Sequence, residues 1–222
     1  MKADQAPSRA NASARKKDEF ARLILLGERE AALRADGYNR IAGLDEAGRG
    51  PLAGPVVAAA VILPPSLYIE GLNDSKKVSP SKREKLETLI KENAIAWGIG
   101  EASHTEIDAQ NILNATKLAM ARALAALAIA PDYLLLDAIQ LETHLPQESI
   151  VQGDAKVACI SAASILAKTY RDRLMREWDK QYPAYGFKQH KGYPTAAHKR
   201  IVMEIGPCPI HRRSFLKFIT AC

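Results

Sequence analysis

Cysteine is scarce in this chain: three in 222 residues, Cys159, Cys208 and Cys222, odd in number and far apart. No CxxC pair occurs, so a structural zinc site is not expected. Free thiols fit a reducing compartment, and a cytoplasmic location is expected. No run of about 18 uncharged apolar residues occurs, so no membrane span is expected. Phosphate-cradling patterns are missing too: neither a P-loop spacing nor a GxGxxG is present, which argues against a nucleotide cofactor. No GxSxG occurs and no cysteine has a partner at motif level, so serine and cysteine nucleophiles are poorly supported. There is no internal repeat.

What remains is an ordinary globular composition, 47% hydrophobic and 25% charged, in a chain long enough to bury a sizeable core unaided. The net charge is +6, and its placement is informative. From Pro183 to Cys222, seven Lys/Arg (Lys188, Lys191, Lys199, Arg200, Arg212, Arg213, Lys217) stand against the single acid Glu204, a net +6 for that segment. Such a segment attracts polyanions, nucleic acid first. Tyr185, Phe187 and Tyr193 interleave with it and are candidates to stack on sugars or bases. A merely solvated basic tail is the alternative.

Residues 1–17 read as disordered: Ala-, Ser- and Arg-rich, without an apolar secretory core, and carrying Asp4. Residues 18–35 have a rough helical pattern that ends near Gly37, so residues 1–38 are expected to form an N-terminal extension and residues 39–222 a catalytic domain with a basic helical C-terminal part. Short apolar runs at Ile41–Asp45 and Val56–Leu63, alternation at Ala96–Ala102, and the run Tyr133–Asp137 predict strands, with a further short one at Ile150–Gln152. Helices are expected over Pro80–Asn93, Ile112–Ala128, Ala155–Gln181 and Thr195–Ile205. Strands first, then strands alternating with helices, indicate an α/β domain with a mixed sheet. Ligands bind such sheets outside the carboxyl ends of the strands. Two predicted strands end there on acids.

Asp45-Glu46 and Asp137 are those acids. A carboxylate at the end of an apolar strand is costly to desolvate unless paired or bound to a cation. Neighbouring strands would bring such groups together, and oxygen-only ligands suit Mg²⁺ or Mn²⁺. Two such ions can activate a water and stabilise the leaving oxygen of a phosphodiester. Asp137 alone also reads as a turn residue, and Asp154, ahead of a long helix, also reads as an N-cap. Asp172, between Arg171 and Arg173, reads as a salt-bridging structural acid. Gly48-Arg49-Gly50 allows close backbone approach to a sugar-phosphate. Ser75, Lys76 and Lys77 offer a hydroxyl and two amines for phosphate contacts, or form an ordinary loop before a helix. Ser161, Ser164 and Lys168 share one helix face. Composition and spacing alone reach a metal-dependent enzyme acting on nucleic acid.

The blocks IAGLDEAGRGPLAGPVVAAAVIL, GLNDSKK, IDAQNILNATKLAMARA, YLLLDA, GDAKVACISAASILAKTYRDR and YGFKQHKGYPTAAH occur in that order. Together they closely resemble bacterial ribonuclease HII over roughly residues 40–215. The resemblance implies a ribonuclease H-like α/β fold, with a central mixed five-stranded sheet flanked by helices and a helical C-terminal extension. It implies metal-dependent hydrolysis of the RNA strand of RNA–DNA hybrids, and cutting 5′ of single ribonucleotides in duplex DNA, leaving 3′-hydroxyl and 5′-phosphate ends. Ribonucleotide excision repair would be the setting. The four-carboxylate catalytic and metal site would be Asp45, Glu46, Asp137 and Asp154. Gly48, Arg49 and Gly50 would contact the junction ribonucleotide and its 2′-hydroxyl, and Tyr193 would stack on substrate; beside the resemblance, the residue reading expects Ser75, Lys76, Lys77 and Lys168 as further substrate contacts. A 2′-hydroxyl is what separates RNA from DNA locally, and phosphate contacts carry no sequence information, so little sequence preference is expected. A junction resolvase of the same fold and an inert duplex-binding module are the competing readings. A monomer is expected, since no heptad or extra apolar face appears.

Overall fold

The computed structural model describes residues 9–219. Five strands form one mixed sheet: β1 (Ile41–Ala47), β2 (Val56–Ile62), β3 (Ala96–Ala102), β4 (Tyr133–Asp137) and β5 (Gln147–Ile150), in the order β3-β2-β1-β4-β5. β1, β2 and β3 pair antiparallel, while β1, β4 and β5 run parallel. β2, VVAAAVI, is buried along its whole length, as a strand covered on both faces must be. The alternation of β1 sorts its residues between two cores. Ile41 faces one with Val57, Ala59, Val61 and Leu135, while Ala42 and Leu44 face the other with Ala58, Ala60, Leu134 and Leu136.

The second face is covered by α3 (His104–Ala125) through Ile107, Ala115, Ala119, Met120 and Ala123. The first is covered by α5 (Ala158–Gln181), flanked by α1 (Arg9–Ala35) and α2 (Pro80–Asn93). The first turns of α5 are rich in small residues, and Gly43 lets the helix lie almost on β1. A Cβ at Gly43 would stand 2.2 Å from the Cys159 carbonyl carbon and 2.4 Å from the Ile160 nitrogen. This close seating matters for function because α5 and β1 carry neighbouring parts of the site.

Several elements differ from expectation. The N-terminal helix begins at Arg9 rather than near residue 18, so residues 9–17 are helical; residues 1–8 of the stretch expected to be disordered lie outside the described residues. Residues 18–35 dock through buried Leu23, Leu26 and Leu33, and an Ala/Arg/Lys-rich leader extends that helix without a new nucleation step. α3 starts at His104, well before Ile112, because Ser103 and Glu106 form a capping box; it then kinks at Asn111, whose φ is 71°. β5 is Gln147–Ile150 rather than Ile150–Gln152. Its polar edge hid it: the Gln147 amide bonds both the nitrogen and the oxygen of Leu141. The long C-terminal helix is broken into a single turn, α4 (Gly153–Lys156), and α5, with Val157 extended between them.

The C-terminal part adds α6 (Phe187–His190) and α7 (Ala196–Ile205) around a third core of Leu52, Met175, Tyr185, Phe187, Val202, Ile210 and Leu216. This corrects one expectation. Tyr185 and Phe187 are not free to stack on nucleic acid: both are buried, stacked on each other at 5.5 Å, with the Tyr185 hydroxyl donating to the Gly206 carbonyl. Of the three aromatics, Tyr193 alone stays open, at 39% exposure.

Candidate active site

The parallel register of β1 on β4 pairs Gly43 with Leu135 and Leu44 with Leu136. One step further stand Asp45 and Asp137, side by side at the carboxyl ends of adjacent strands. Asp154 joins them from α4. That turn is tied down because the Gly153 amide donates to Asp137 Oδ1 at 2.9 Å and the Ser161 hydroxyl donates to the Asp154 carbonyl. Carboxylate oxygens of Asp45, Asp137 and Asp154 lie within 4.8 Å of one another. Asp154 is thus no helix cap; it faces the other acids.

Such crowding is electrostatically unfavourable. Burial, then the charges of Glu46 and Asp137, push the Asp45 carboxyl well above the usual carboxylate range. Burial also raises Glu46, with Arg49 pulling the other way from 3.4 Å. Asp154 is raised by burial and by the charges of Asp74 and Asp137. A second cation reaches in beside Arg49: Lys76 Nζ is 3.8 Å from Asp154 Oδ2. Burial lowers Lys76, but Asp154, Asp74, Asp45 and Asp137 together hold its ammonium above its ordinary value. Glu46 Oε2 is buried and has no hydrogen-bond partner among the described residues. An all-oxygen set with an orphaned carboxylate oxygen is the donor chemistry of a hard divalent cation.

A cleft of about 650 Å³ opens beside the acids, lined by Asp45, Glu46, Gly48, Arg49, Gly50, Ser75, Lys76, Lys168 and Tyr193. Gly48 has φ +99°, and a Cβ there would strike Arg171 Nε at 2.1 Å, so only glycine fits. Gly50 lies against the Tyr193 ring, whose Cε1 would be 3.8 Å from an added Cβ. Lys168 Nζ stands 5.7 Å from the centre of that ring. The structure therefore gathers most of the residues singled out from the sequence. Lys77 is the exception: it turns to Asp74 at 3.9 Å and lines a separate hollow with Arg22 and Lys82. Ser75 borders the cleft but is buried, its Oγ accepting from Ser164 Oγ at 2.9 Å, so it holds the loop. Asp172 is the structural acid expected, joined to Arg83 Nη2 at 2.9 Å and Lys168 Nζ at 2.7 Å.

Three side chains escaped the sequence reading. Asp74 adds charge beside Asp154. Arg83 donates to the Ser75 and Val78 carbonyls and fixes the Ser75–Lys77 turn. Arg212 looked like one more surface cation in a basic tail, yet it is fully buried.

A five-stranded sheet of this order, with acids at the carboxyl ends of its adjacent parallel strands, defines the ribonuclease H-like class of hydrolases. A profile of the ribonuclease HII family matches residues 42–218. The ribonuclease HII of Moorella thermoacetica is 54% identical over 198 residues, 89% of this chain and 96% of that protein. The Syntrophotalea carbinolica ribonuclease HII is 56% identical over 187 residues, 84% and 90% of the respective chains. Among solved structures, the ribonuclease H2 of Pyrococcus horikoshii superposes with a TM-score of 0.69 at 27% identity, covering 82% of this chain and 97% of that one. The chain belongs to the ribonuclease HII family and is an endoribonuclease.

Proposed function

We propose that this chain hydrolyses the RNA strand of RNA–DNA hybrids and cuts 5′ of single ribonucleotides embedded in duplex DNA, leaving 3′-hydroxyl and 5′-phosphate ends. The observation that carries the reading is the convergence of Asp45, Asp137 and Asp154 within 4.8 Å, beside a glycine loop that abuts an open tyrosine. Asp45, Glu46, Asp137 and Asp154 would hold Mg²⁺ or Mn²⁺. Divalent cations on such a set supply an activated water and charge stabilisation at the leaving oxygen. The chain's own residues do the positioning. Lys76 balances the acids and meets the backbone phosphate when the duplex enters. Lys168, held by Asp172, offers a second phosphate contact. The Gly48-Arg49-Gly50 backbone lies against the ribose and senses its 2′-hydroxyl. The Tyr193 ring packs on the next sugar and favours one without that hydroxyl.

A cytoplasmic location, a monomeric state and a part in removing ribonucleotides from DNA go with this reading; Cys159 and Cys208 are free, buried thiols. The test is cleavage mapping on a continuous hybrid and on a DNA duplex with one ribonucleotide, with and without EDTA. The reading expects a single 5′ cut at the ribonucleotide, leaving a 3′-hydroxyl that a polymerase extends and a 5′-phosphate that a phosphatase removes. Cuts 3′ of the ribonucleotide, or equal cutting of all-DNA duplex, would overturn it.

A further inference from the structure

Arg171 and Arg212 are the two largest fully buried side chains described, and neither has an acid partner within ion-pair distance among the described residues. Taking a guanidinium out of water without an ion-pair partner is costly, and the carboxylate charges that act in their favour, Asp108 for Arg212 and Asp172 for Arg171, are more distant. Here the two also repel each other: burial first, then the neighbouring Arg171 charge, lowers Arg212 to about 9, which still leaves it protonated at neutral pH. An apolar side chain of similar volume would fill either place more cheaply, so the charges need a reason.

Their hydrogen bonds supply one. Arg212 Nε donates to the Gly54 carbonyl at 2.8 Å, Nη1 to Arg49 at 3.0 Å and Nη2 to Gly48 at 2.6 Å. Arg171 Nε donates to Pro55 at 3.0 Å, Nη2 to Ala53 at 3.1 Å and Nη1 to Lys191 at 3.0 Å. Five of these six carbonyls belong to the loop between β1 and β2. The sixth is two residues before Tyr193. The planar forks therefore stitch the glycine loop to the tyrosine turn, which are joined again where the Leu52 amide donates to the Gly192 carbonyl at 2.8 Å.

A trans peptide turns its N–H opposite to its C=O. Holding the Gly48 and Arg49 carbonyls down onto Arg212 thus turns the Arg49 and Gly50 amides the other way, toward the cleft that these residues line. Hydrogen bonds from a cation to these carbonyls also polarise the same peptides and strengthen their amides as donors. We propose that Arg212, backed by Arg171, is a positioning residue that aims the Gly48-Arg49-Gly50 amides at the ribose 2′-oxygen and so sets discrimination between ribose and other sugars. This rests on the function proposed above.

The test compares wild type with Arg212→Lys, Arg212→Met and Arg171→Lys, with Arg176→Met, on the exposed Arg176–Glu84 pair, as control. Substrates are duplexes carrying one ribonucleotide or one 2′-fluoro nucleotide at the same place. Misaimed donors are expected to lower kcat on the ribonucleotide about a hundredfold in Arg212→Met. KM should change by no more than about threefold, because the phosphate contacts remain. Arg212→Lys should fall between Met and wild type. The ratio of ribose to 2′-fluoro cleavage should fall with kcat, which a loss of folded protein alone would not produce. An unchanged ratio in the Arg212 variants, or failure of all three variants to fold, overturns the proposal by making the arginines purely structural. No cut at the ribonucleotide by wild type would instead overturn the function on which the proposal rests.

Discussion

Removing one acid from the site should make the metal-free protein more stable while destroying its activity. Take Asp45→Asn. Its carboxylate lies within 4.8 Å of both Asp137 and Asp154. Two unit charges at that distance repel by about 3.5 kcal/mol at an effective dielectric constant of about 20. Asp45 faces two of them, and Lys76 beside Asp154 offsets part of the repulsion. Asparagine keeps an oxygen that accepts from the Glu46 amide, which now bonds Asp45 Oδ1 at 2.7 Å. A net gain of about 2–4 kcal/mol remains, or roughly 4–16 °C in Tm for a chain of this size. The assay is thermal and urea unfolding in EDTA at pH 8, repeated with Mg²⁺. Wild type should gain stability on adding Mg²⁺ and the variant much less. An Asn variant equal to or less stable than wild type in EDTA would refute the electrostatic reasoning, whatever its activity.

Three further perturbations reach other parts of the molecule. Glu30 of α1 is buried against the start of α5, where it accepts from the Cys159 amide at 3.4 Å, and burial raises its carboxyl to about 7. A raised folded-state value means that its stabilising contribution is complete below about pH 4.5 and lost as pH rises through 7. Glu30→Gln should therefore gain on wild type by up to about 3 kcal/mol between pH 5 and pH 8; a difference in urea midpoint that is flat across that range would rule this out. Gly43→Ala would push α5 off β1, since the new Cβ meets Cys159 and Ile160 backbone within 2.4 Å. A loss of about 3 kcal/mol is expected from denaturant melts, and a loss under 1 kcal/mol would contradict the packing described. Tyr193→Ala should lower kcat/KM about tenfold, as loss of one stacking contact does, with an unchanged unfolding midpoint because the ring is exposed; equal kcat/KM would remove it from the substrate path.

The sheet was legible where strands are buried runs. Ile41–Asp45, Val56–Leu63, Ala96–Ala102 and Tyr133–Asp137 stand out by apolar content or alternation, and the first and last of these runs locate Asp45 and Asp137. What a sequence does not carry is register: that Leu44 pairs with Leu136, and so aligns the two acids, is a tertiary fact. Half-buried β5 was missed because it is short and polar, with the Gln147 side chain turned back onto the Leu141 backbone, and the split before α5 because the Cys159 amide at its start is met by Glu30, far away in the chain. Arg171 and Arg212 were invisible for a related reason. A lone cation in a basic stretch reads as solvated, and only the fold reveals that carbonyls surround it. The basic tail was over-read in the same way: its Tyr185 and Phe187 serve a small core of their own.

The measurement closest to the central claim is cleavage of a DNA duplex carrying one ribonucleotide, with wild type and Asp137→Asn, in Mg²⁺, Mn²⁺ and EDTA. The account expects one cut 5′ of the ribonucleotide with wild type and metal, and none in EDTA or with the variant. Cleavage that persists in EDTA, or in an Asp137→Asn variant purified free of wild type, would contradict it by moving the chemistry away from the carboxylates.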